Sequence, residues 1–348
     1  MTRDEKYMSR CLQLAAMGIR NVAPNPMVGA VLVHGDRVIG EGFHRFFGGP
    51  HAEIECLDSV RGEDRHLIPD SRLYVSLEPC AHHGKTPPCA DRIIREGIPE
   101  VHVACRDPFS EVDGRGIERL KAAGVRVFAG TMEEEARHLN RRFLTFHLRR
   151  RPYIVLKWAE SADGMMAGPG RKRMAVSGTV AGRLVHGWRS EEQAILVGSG
   201  TAEIDDPILT SRLPGGRDPL RIVIDPHLRL PKTIRLLSDG SPTLVLNNVR
   251  EGLEGSVSYG KVPDSADMLP SILELLHRRG VQSVLVEGGR VTLQSFLRSG
   301  LWDECRLIRS RRLLIPGGYP APDAPKGTLR STLELDEDRI EVFNNPSA

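Results

Sequence analysis

The 348-residue sequence predicts an α/β protein built as two domains. Three observations lead there. Short apolar, β-branched runs alternate with amphipathic stretches in both halves, as strands layered against helices do. The length exceeds what a single hydrophobic core comfortably serves. Near the middle, Arg149, Arg150, Arg151 and Pro152 close a polar helix end before a new apolar strand, dividing the chain into residues 1–148 and 149–348.

In the first half, Tyr7, Met8, Cys11, Leu12, Leu14 and Ala15 recur at near-helical spacing, and Gly18 is a plausible stop. VGAVLVH and RVIGEGF read as a hairpin turned at Gly35-Asp36. The rigid PNP before it holds Asn25 in a loop, where its amide offers a ring both a donor and an acceptor. A helix is expected to open near His51 and run through Leu57, and RLYVSLEP reads as a strand that delivers Cys80. A helix begins at Cys89, followed by EVHVACRD, GIERLKAAG, VRVFAG and one long helix over MEEEARHLNRRFLTFHLRR.

The second half repeats the alternation. PYIVLKWAES, AILVG, LRIVID, PTLVLNN, SVLVEGG and WDECRLIRS read as strands, and SGTVAGRLVHGWRSE, SILELLHRRG and RVTLQSFLRSG as helices. Gly198-Ser199-Gly200 and Gly288-Gly289 follow apolar strands, so the backbone there can approach phosphates. Neither completes G-x-G-x-x-G, and glycines ending a strand are more often simple turns.

Composition narrows the class. A net charge of +3 on this length gives no concentrated basic surface, which speaks against nucleic acid as a partner. No run of about 18 apolar residues is present to span a membrane, and the N-terminus lacks the apolar stretch of a signal peptide. Six cysteines without a disulfide framework point to the cytoplasm. Cys11, Cys56, Cys105 and Cys305 are expected as buried small hydrophobes.

The chemistry gathers between His51 and Cys89. One imidazole and two thiolates (His51, Cys80 and Cys89) suit zinc and leave a fourth tetrahedral position open to water. Glu53 is a carboxylate placed to carry protons. H-x-E followed by P-C and a second cysteine is the zinc deaminase signature. His51 and Glu53 lie about 200° apart on a helix, so both can face a metal only at the helix's first turn. Two rivals stand beside a small-molecule deaminase. A nucleic-acid base deaminase would want aromatics for strand binding, and these are 5% here. A zinc-stabilised binding module would want four protein ligands.

The eight residues between the cysteines, AHHGKTPP, depart from the two-residue spacing of the general pattern. With PNPMVG, EGFH, PHAE, LEPCAHHGKTPPCAD, ACRDPFSEVDGRGIERLKAAG and RPYIVLKWAESADG, they make the chain resemble the bifunctional deaminase–reductases of riboflavin biosynthesis, over nearly its whole length. The resemblance implies a cytidine-deaminase-like three-layer sandwich joined to a dihydrofolate-reductase-like α/β domain. It implies one Zn2+ per chain, NADPH and a phosphoribosylaminopyrimidine substrate, with no nucleic acid or membrane partner; a homo-oligomer is expected.

By the same resemblance the zinc ligands are His51, Cys80 and Cys89, and Glu53 is the proton shuttle. Deaminase substrate contacts fall on Asn25, His44, His82 and Lys85. Reductase substrate contacts fall on Arg189, Leu209, Arg212 and Glu287, with Lys157 and Asp206 as further candidates for placing or protonating the sugar. Cofactor contacts fall on Ala159, Thr201, Asp205 and the run Gly289, Arg290, Val291, Thr292, Leu293, Gln294 and Ser295. Where the family often carries serine and tryptophan, this chain has Arg173 and Ala175.

Overall fold

The computed structural model describes residues 1–82, 87–109, 112–212, 217–263 and 268–346. They form two compact units, Met1–Arg149 and Arg150–Ala348.

In the first unit, helix α1 (Arg3–Ala16) starts from a capping box in which Thr2 and Glu5 satisfy each other's backbone N–H groups. Strands β1 (Gly29–His34) and β2 (Arg37–Phe43) form the expected hairpin, and helix α2 (Ala52–Asp58) follows. Then come β3 (Arg72–Val75), α3 (Cys89–Arg95), β4 (Glu100–Val103), α4 (Arg115–Ala122), β5 (Arg126–Ala129), α5 (Glu133–Leu139) and α6 (Arg141–Arg149). The sheet order is β2-β1-β3-β4-β5. β3, β4 and β5 run parallel, while β1 is antiparallel to both of its neighbours.

Alternation along β1 sends its side chains into two cores. Ala30 and Leu32 pack with Ala52 and Cys56 of α2 and Ile93 of α3. Val31 and Val33 pack with Tyr7, Met8 and Cys11 of α1 and Ala136 of α5. A sheet covered on both faces by helices is the three-layer sandwich.

The expected long C-terminal helix of this unit is broken at Asn140. Its side-chain amide accepts from the Met27 backbone N–H at 2.8 Å and donates to the Met27 carbonyl at 2.9 Å. That bidentate bond pins the loop carrying Asn25, a tertiary demand invisible in helical periodicity.

The second unit contains β6 (Tyr153–Glu160), β7 (Met165–Ala167), α7 (Thr179–Glu191), β8 (Ala194–Gly198), α8 (Ser199–Asp205), β9 (Leu220–Ile224) and α9 (Arg235–Ser238). It continues with β10 (Thr243–Asn247), β11 (Gly252–Glu254), β12 (Val257–Lys261), α10 (Leu269–Arg278), β13 (Ser283–Val286) and α11 (Arg290–Ser299). The last strands are β14 (Glu304–Ser310), β15 (Tyr319–Pro320), β16 (Thr328–Leu335) and β17 (Asp338–Asn344).

One sheet runs β11-β12-β10-β9-β8-β13-β6-β14-β17-β16, parallel from β12 through β14 and antiparallel at both ends. α10 and α11 cover one face through Leu273, Leu276, Leu293 and Phe296. α7 covers part of the other through Ala181, Val185 and Trp188.

The hairpin β16–β17 has no counterpart in the sequence expectations. Every residue of β16 but the last is exposed, so no apolar alternation marks it; β17, itself paired to β14, holds it in register.

Candidate active sites

The metal site forms where two helices of the first unit begin. His51 is the residue before α2, with extended backbone (φ −72°, ψ 161°), so it lies outside the helical turn and the angular conflict with Glu53 does not arise. Cys89 is the first residue of α3. Cys80 is not carried by the strand itself: β3 ends at Val75, and a loop reaches on to Cys80.

Glu78 fixes that loop. Its buried carboxylate accepts from the backbone N–H groups of Asp107, Gly114, Gly116 and Ile117, at 2.9–3.3 Å. Four backbone donors converging on one buried side chain fix the course of the loop. Gly116 is required there, because a Cβ would fall 1.9 Å from the Pro79 carbonyl oxygen.

His51 Nδ1 lies 3.6 Å from Cys80 Sγ and 3.3 Å from Cys89 Sγ. The edge of a tetrahedron of one nitrogen and two sulfurs around zinc is about 3.5 Å, so these three atoms already stand at ligand spacing. Among the described residues no fourth His, Cys, Asp or Glu joins the group. Open coordination of this kind fits a catalytic ion rather than a closed structural one.

The donors' protonation agrees. The Cys80 thiol is pulled well down, first by the Cys89 thiol that donates to it and then by His51. Cys89 is pushed up by the same bond and by burial. The Cys89 backbone N–H also donates to Cys80 Sγ at 3.3 Å. Two sulfurs thus share protons that a cation would displace.

Glu53 is only 3% exposed. Burial lifts its carboxyl to about 7, with His51 working against the rise, and the Cys89 thiol bonds to it. His44 stands edge-on to His51, ring centroids 5.7 Å apart. His44 Nδ1 lies 2.9 Å from the Pro50 carbonyl, which fixes the tautomer and leaves Nε2 to accept from Asn25 Nδ2 at 3.0 Å. The Asn25 carbonyl oxygen stays available.

His82 sits edge-on to Phe109, its Nδ1 buried without a partner among the described residues. Lys85 lies outside the described residues. Asp107 also stands near the site: burial raises its carboxyl to about 6, with the charges of Glu78 and Cys80 adding to the rise. Its position just past the end of β4 is the signal the sequence offers for it.

In the second unit, a cavity of about 830 Å³ opens at the C-terminal ends of the parallel strands, where ligands of open α/β sheets bind. Gly198–Thr201 and Gly289–Thr292 line it together. The two turns interlock: a Cβ at Gly198 would meet Thr292 Oγ1 at 2.5 Å, and one at Gly289 would meet Thr201 Oγ1 at 2.8 Å. Thr201, Asp205, Gly289, Arg290, Val291, Thr292 and Ser295 therefore reach the cavity.

Other expected contacts fall elsewhere. Leu293 is fully buried among the core side chains. Gln294 pairs with Asp323 at 3.0 Å, and Ala159 packs toward α7. α11 presents successive residues at about 100° intervals, so a contiguous run cannot all face one ligand.

The substrate candidates divide likewise. Glu287 lines the cavity and accepts two hydrogen bonds from Arg189, at 2.8 Å each, with Lys157 Nζ 3.8 Å away. Burial would raise the Glu287 carboxyl, but Lys157 and Arg189 outweigh it and hold it at about 2. Lys157 is itself lowered by burial, against the pull of Glu287. Arg189 also donates to the Thr210 carbonyl at 3.1 Å, tying the segment from Leu209 to Arg212 to the cluster.

Leu209 turns its side chain into the core, leaving only its backbone for a ligand. Asp206 does not belong to the cluster: it caps α9, accepting from Arg235 N at 2.7 Å and Arg235 Nε at 2.9 Å. Arg173 donates to the Asp205 carbonyl at 3.4 Å, beside the cavity.

Replacing Glu287 by Gln leaves two largely buried cations without a counter-charge. A loss of about 3–5 kcal/mol is expected, read by denaturant unfolding. Because folding lowers this carboxyl from 4.5 to about 2, its stabilisation is complete above pH 4.5 and fades as pH falls toward 2. The variant should lose that part of the acid dependence.

Comparison with known proteins agrees with this geometry. Residues 152–345 match the RibD C-terminal domain. Residues 1–105 match the cytidine and deoxycytidylate deaminase zinc-binding region. The riboflavin biosynthesis protein RibD of Aquifex aeolicus is 39% identical, with 97% of this chain and 95% of that protein covered. That of Escherichia coli is 34% identical over 93% and 94%.

Among solved structures, a diaminohydroxyphosphoribosylaminopyrimidine deaminase/5-amino-6-(5-phosphoribosylamino)uracil reductase from Thermotoga maritima superposes with TM-score 0.87, at 34% identity and 99% coverage of both chains. Acinetobacter baumannii RibD superposes with TM-score 0.90, at 32% identity and 98% coverage of both. A deaminase centre built for zinc and a reductase cavity thus occur on one chain, which belongs to the RibD family of riboflavin biosynthesis enzymes, zinc-dependent deaminases joined to NADPH-dependent reductases.

Proposed function

We propose that the chain takes 2,5-diamino-6-(5-phosphoribosylamino)pyrimidin-4(3H)-one through hydrolytic deamination, then reduces the ribosyl group of the resulting 5-amino-6-(5-phosphoribosylamino)uracil to ribityl. The observation that carries the first step is a buried carboxylate, Glu53, bonded to one member of a three-ligand zinc set. When bound, zinc lowers the pKa of water toward neutrality, and NADPH supplies a hydride.

The chain's own residues do the rest. Glu53 takes a proton from the attacking water and returns one to the departing amine, its burial keeping both forms accessible near neutral pH. Asn25, oriented by His44, binds the pyrimidine edge through its amide oxygen. His82 and Lys85 face the same substrate, Lys85 as a partner for an anionic or carbonyl oxygen. In the second unit, Arg189 and Arg212 hold the ribose phosphate as guanidinium groups do, with Lys157 and Glu287 placing the opened sugar for reduction at C1.

The substrate is a small molecule, with no nucleic acid involved. Free thiols at all six cysteines support a cytoplasmic setting, and among the described residues no helix is long and apolar enough to cross a membrane. A homo-oligomer is proposed from β16, the last strand of its sheet among the described residues, where Leu329 and Leu333 are exposed.

Incubation with the diaminopyrimidine, with and without NADPH, tests the two steps by product mass. Ammonia release with a one-unit mass gain is expected without cofactor, and a further two-unit gain with it. Deamination without NADPH oxidation would mean that the second unit, with its altered Arg173 and Ala175, is differently employed.

A further inference from the structure

The corner around Glu287 holds more positive than negative charge. Glu287 lines the cavity and accepts from Arg189, with Lys157 Nζ 3.8 Å away. Arg212 stands close enough for its charge to act on His186, which also feels Arg189 and Glu287. Asp218 is the neighbouring acid of that segment and accepts from the Ser211 backbone N–H at 2.7 Å. Lys157, Arg189 and Arg212 thus outnumber Glu287 and Asp218, and a partly enclosed surplus of one sign favours an anionic ligand.

Arg189 has little left to offer that anion. Its Nε and Nη2 donate to Glu287 and its Nη1 to the Thr210 carbonyl, so most of its fork is spent on the protein. Those bonds hold α7 against the segment from Leu209 to Arg212. Ser211 Oγ strengthens the attachment, donating to the His186 carbonyl at 3.1 Å. Arg212 is exposed at the end of that segment.

His186 lies one turn before Arg189 on the same face of α7. Its ring is half-buried, with Nδ1 enclosed and without a partner among the described residues. Nε2 is therefore the ring nitrogen that a ligand can meet. Burial first, then the charges of Arg189 and Arg212, lower the His186 pKa, with the Thr210 carbonyl and Glu287 opposing. The ring is accordingly neutral near pH 7. A proton on Nδ1 would be stranded, so the proton of the neutral ring is assigned to Nε2.

Resting on the reading of this corner as the ribose-phosphate site, we propose that His186 binds that phosphate, donating from Nε2 to an oxygen beside Arg212. Arg189 adds its charge and keeps Glu287 and the Leu209–Arg212 segment in place.

Steady-state reduction by the full-length protein tests this, with 5-amino-6-(5-phosphoribosylamino)uracil and with its phosphate-free counterpart. His186→Ala is expected to raise KM for the phosphorylated substrate by roughly tenfold to a hundredfold, the range of one hydrogen bond to a charged group. The kcat should move by less than about threefold, and KM for the phosphate-free counterpart by less than about twofold. His186→Gln, whose amide nitrogen reaches the place of Nε2, should recover most of the affinity. His186→Asn, whose amide reaches only the place of Nδ1, should not. A KM raised alike for both substrates, or for neither, or equal recovery by Gln and Asn, overturns the role of His186. Wild-type protein that reduces neither substrate, or both with the same KM, overturns the ribose-phosphate reading of the corner itself.

Discussion

Glu53→Gln is expected to keep its zinc and lose deamination by about two to four orders of magnitude, the usual contribution of a positioned acid–base group. The amide preserves size and hydrogen bonding but cannot ionise. Its site is almost closed to solvent, so bulk water offers little rescue at that position. Elemental analysis should find one zinc per chain in both proteins. Reduction of chemically supplied 5-amino-6-(5-phosphoribosylamino)uracil should be unaffected. Deamination at the wild-type rate would remove Glu53 from proton transfer.

Cys80→Ala should abolish deamination by a different route, through loss of the metal. In the native site the Cys80 sulfur is 3.6 Å from His51 Nδ1, and the Cys89 backbone N–H and thiol both donate to it. Removing it leaves two ligands, too few for tight binding at a catalytic zinc centre. Zinc content should fall well below one per chain and deamination to background, while NADPH oxidation with the uracil intermediate persists. In the wild type, chelation should reproduce the loss and added zinc should reverse it. Cobalt substitution should give the spectrum of a tetrahedral site with sulfur ligands. A Cys80→Ala protein that still holds zinc and deaminates would mean that the ion sits elsewhere.

The two units differ in how far their sites were legible beforehand. The deaminase ligands stand in a dense local motif, because a small ion demands particular donor atoms at particular points. Its neighbours His44 and Asn25 carried weaker signals, and the hydrogen bond between them appears only when β2 and the PNP loop meet. Glu78 was visible as part of L-E-P-C, but its four backbone partners come from the loop after β4 and the first turn of α4, some thirty to forty residues away.

For the reductase, a contiguous cofactor run from Gly289 to Ser295 was expected. The helix divides that run between cavity and core, because 100° per residue sends Leu293 inward while Val291 and Ser295 face out. Asp206 was expected beside the sugar but caps α9 instead, and Tyr319 reaches the cavity on a two-residue strand without a local pattern.

The amino-acid order alone determined the α/β layering and pointed to the candidate zinc donors and to Glu53 beside them. Hydrophobic period and ligand chemistry are properties of nearby residues, and a linear chain displays them directly. Only the folded arrangement decided that Asn140 splits a helix to clasp Met27 and that Lys157, Arg189 and Glu287 share one largely buried charge cluster. Those depend on distances between segments far apart in the chain, which burial, sheet order and helix direction set together.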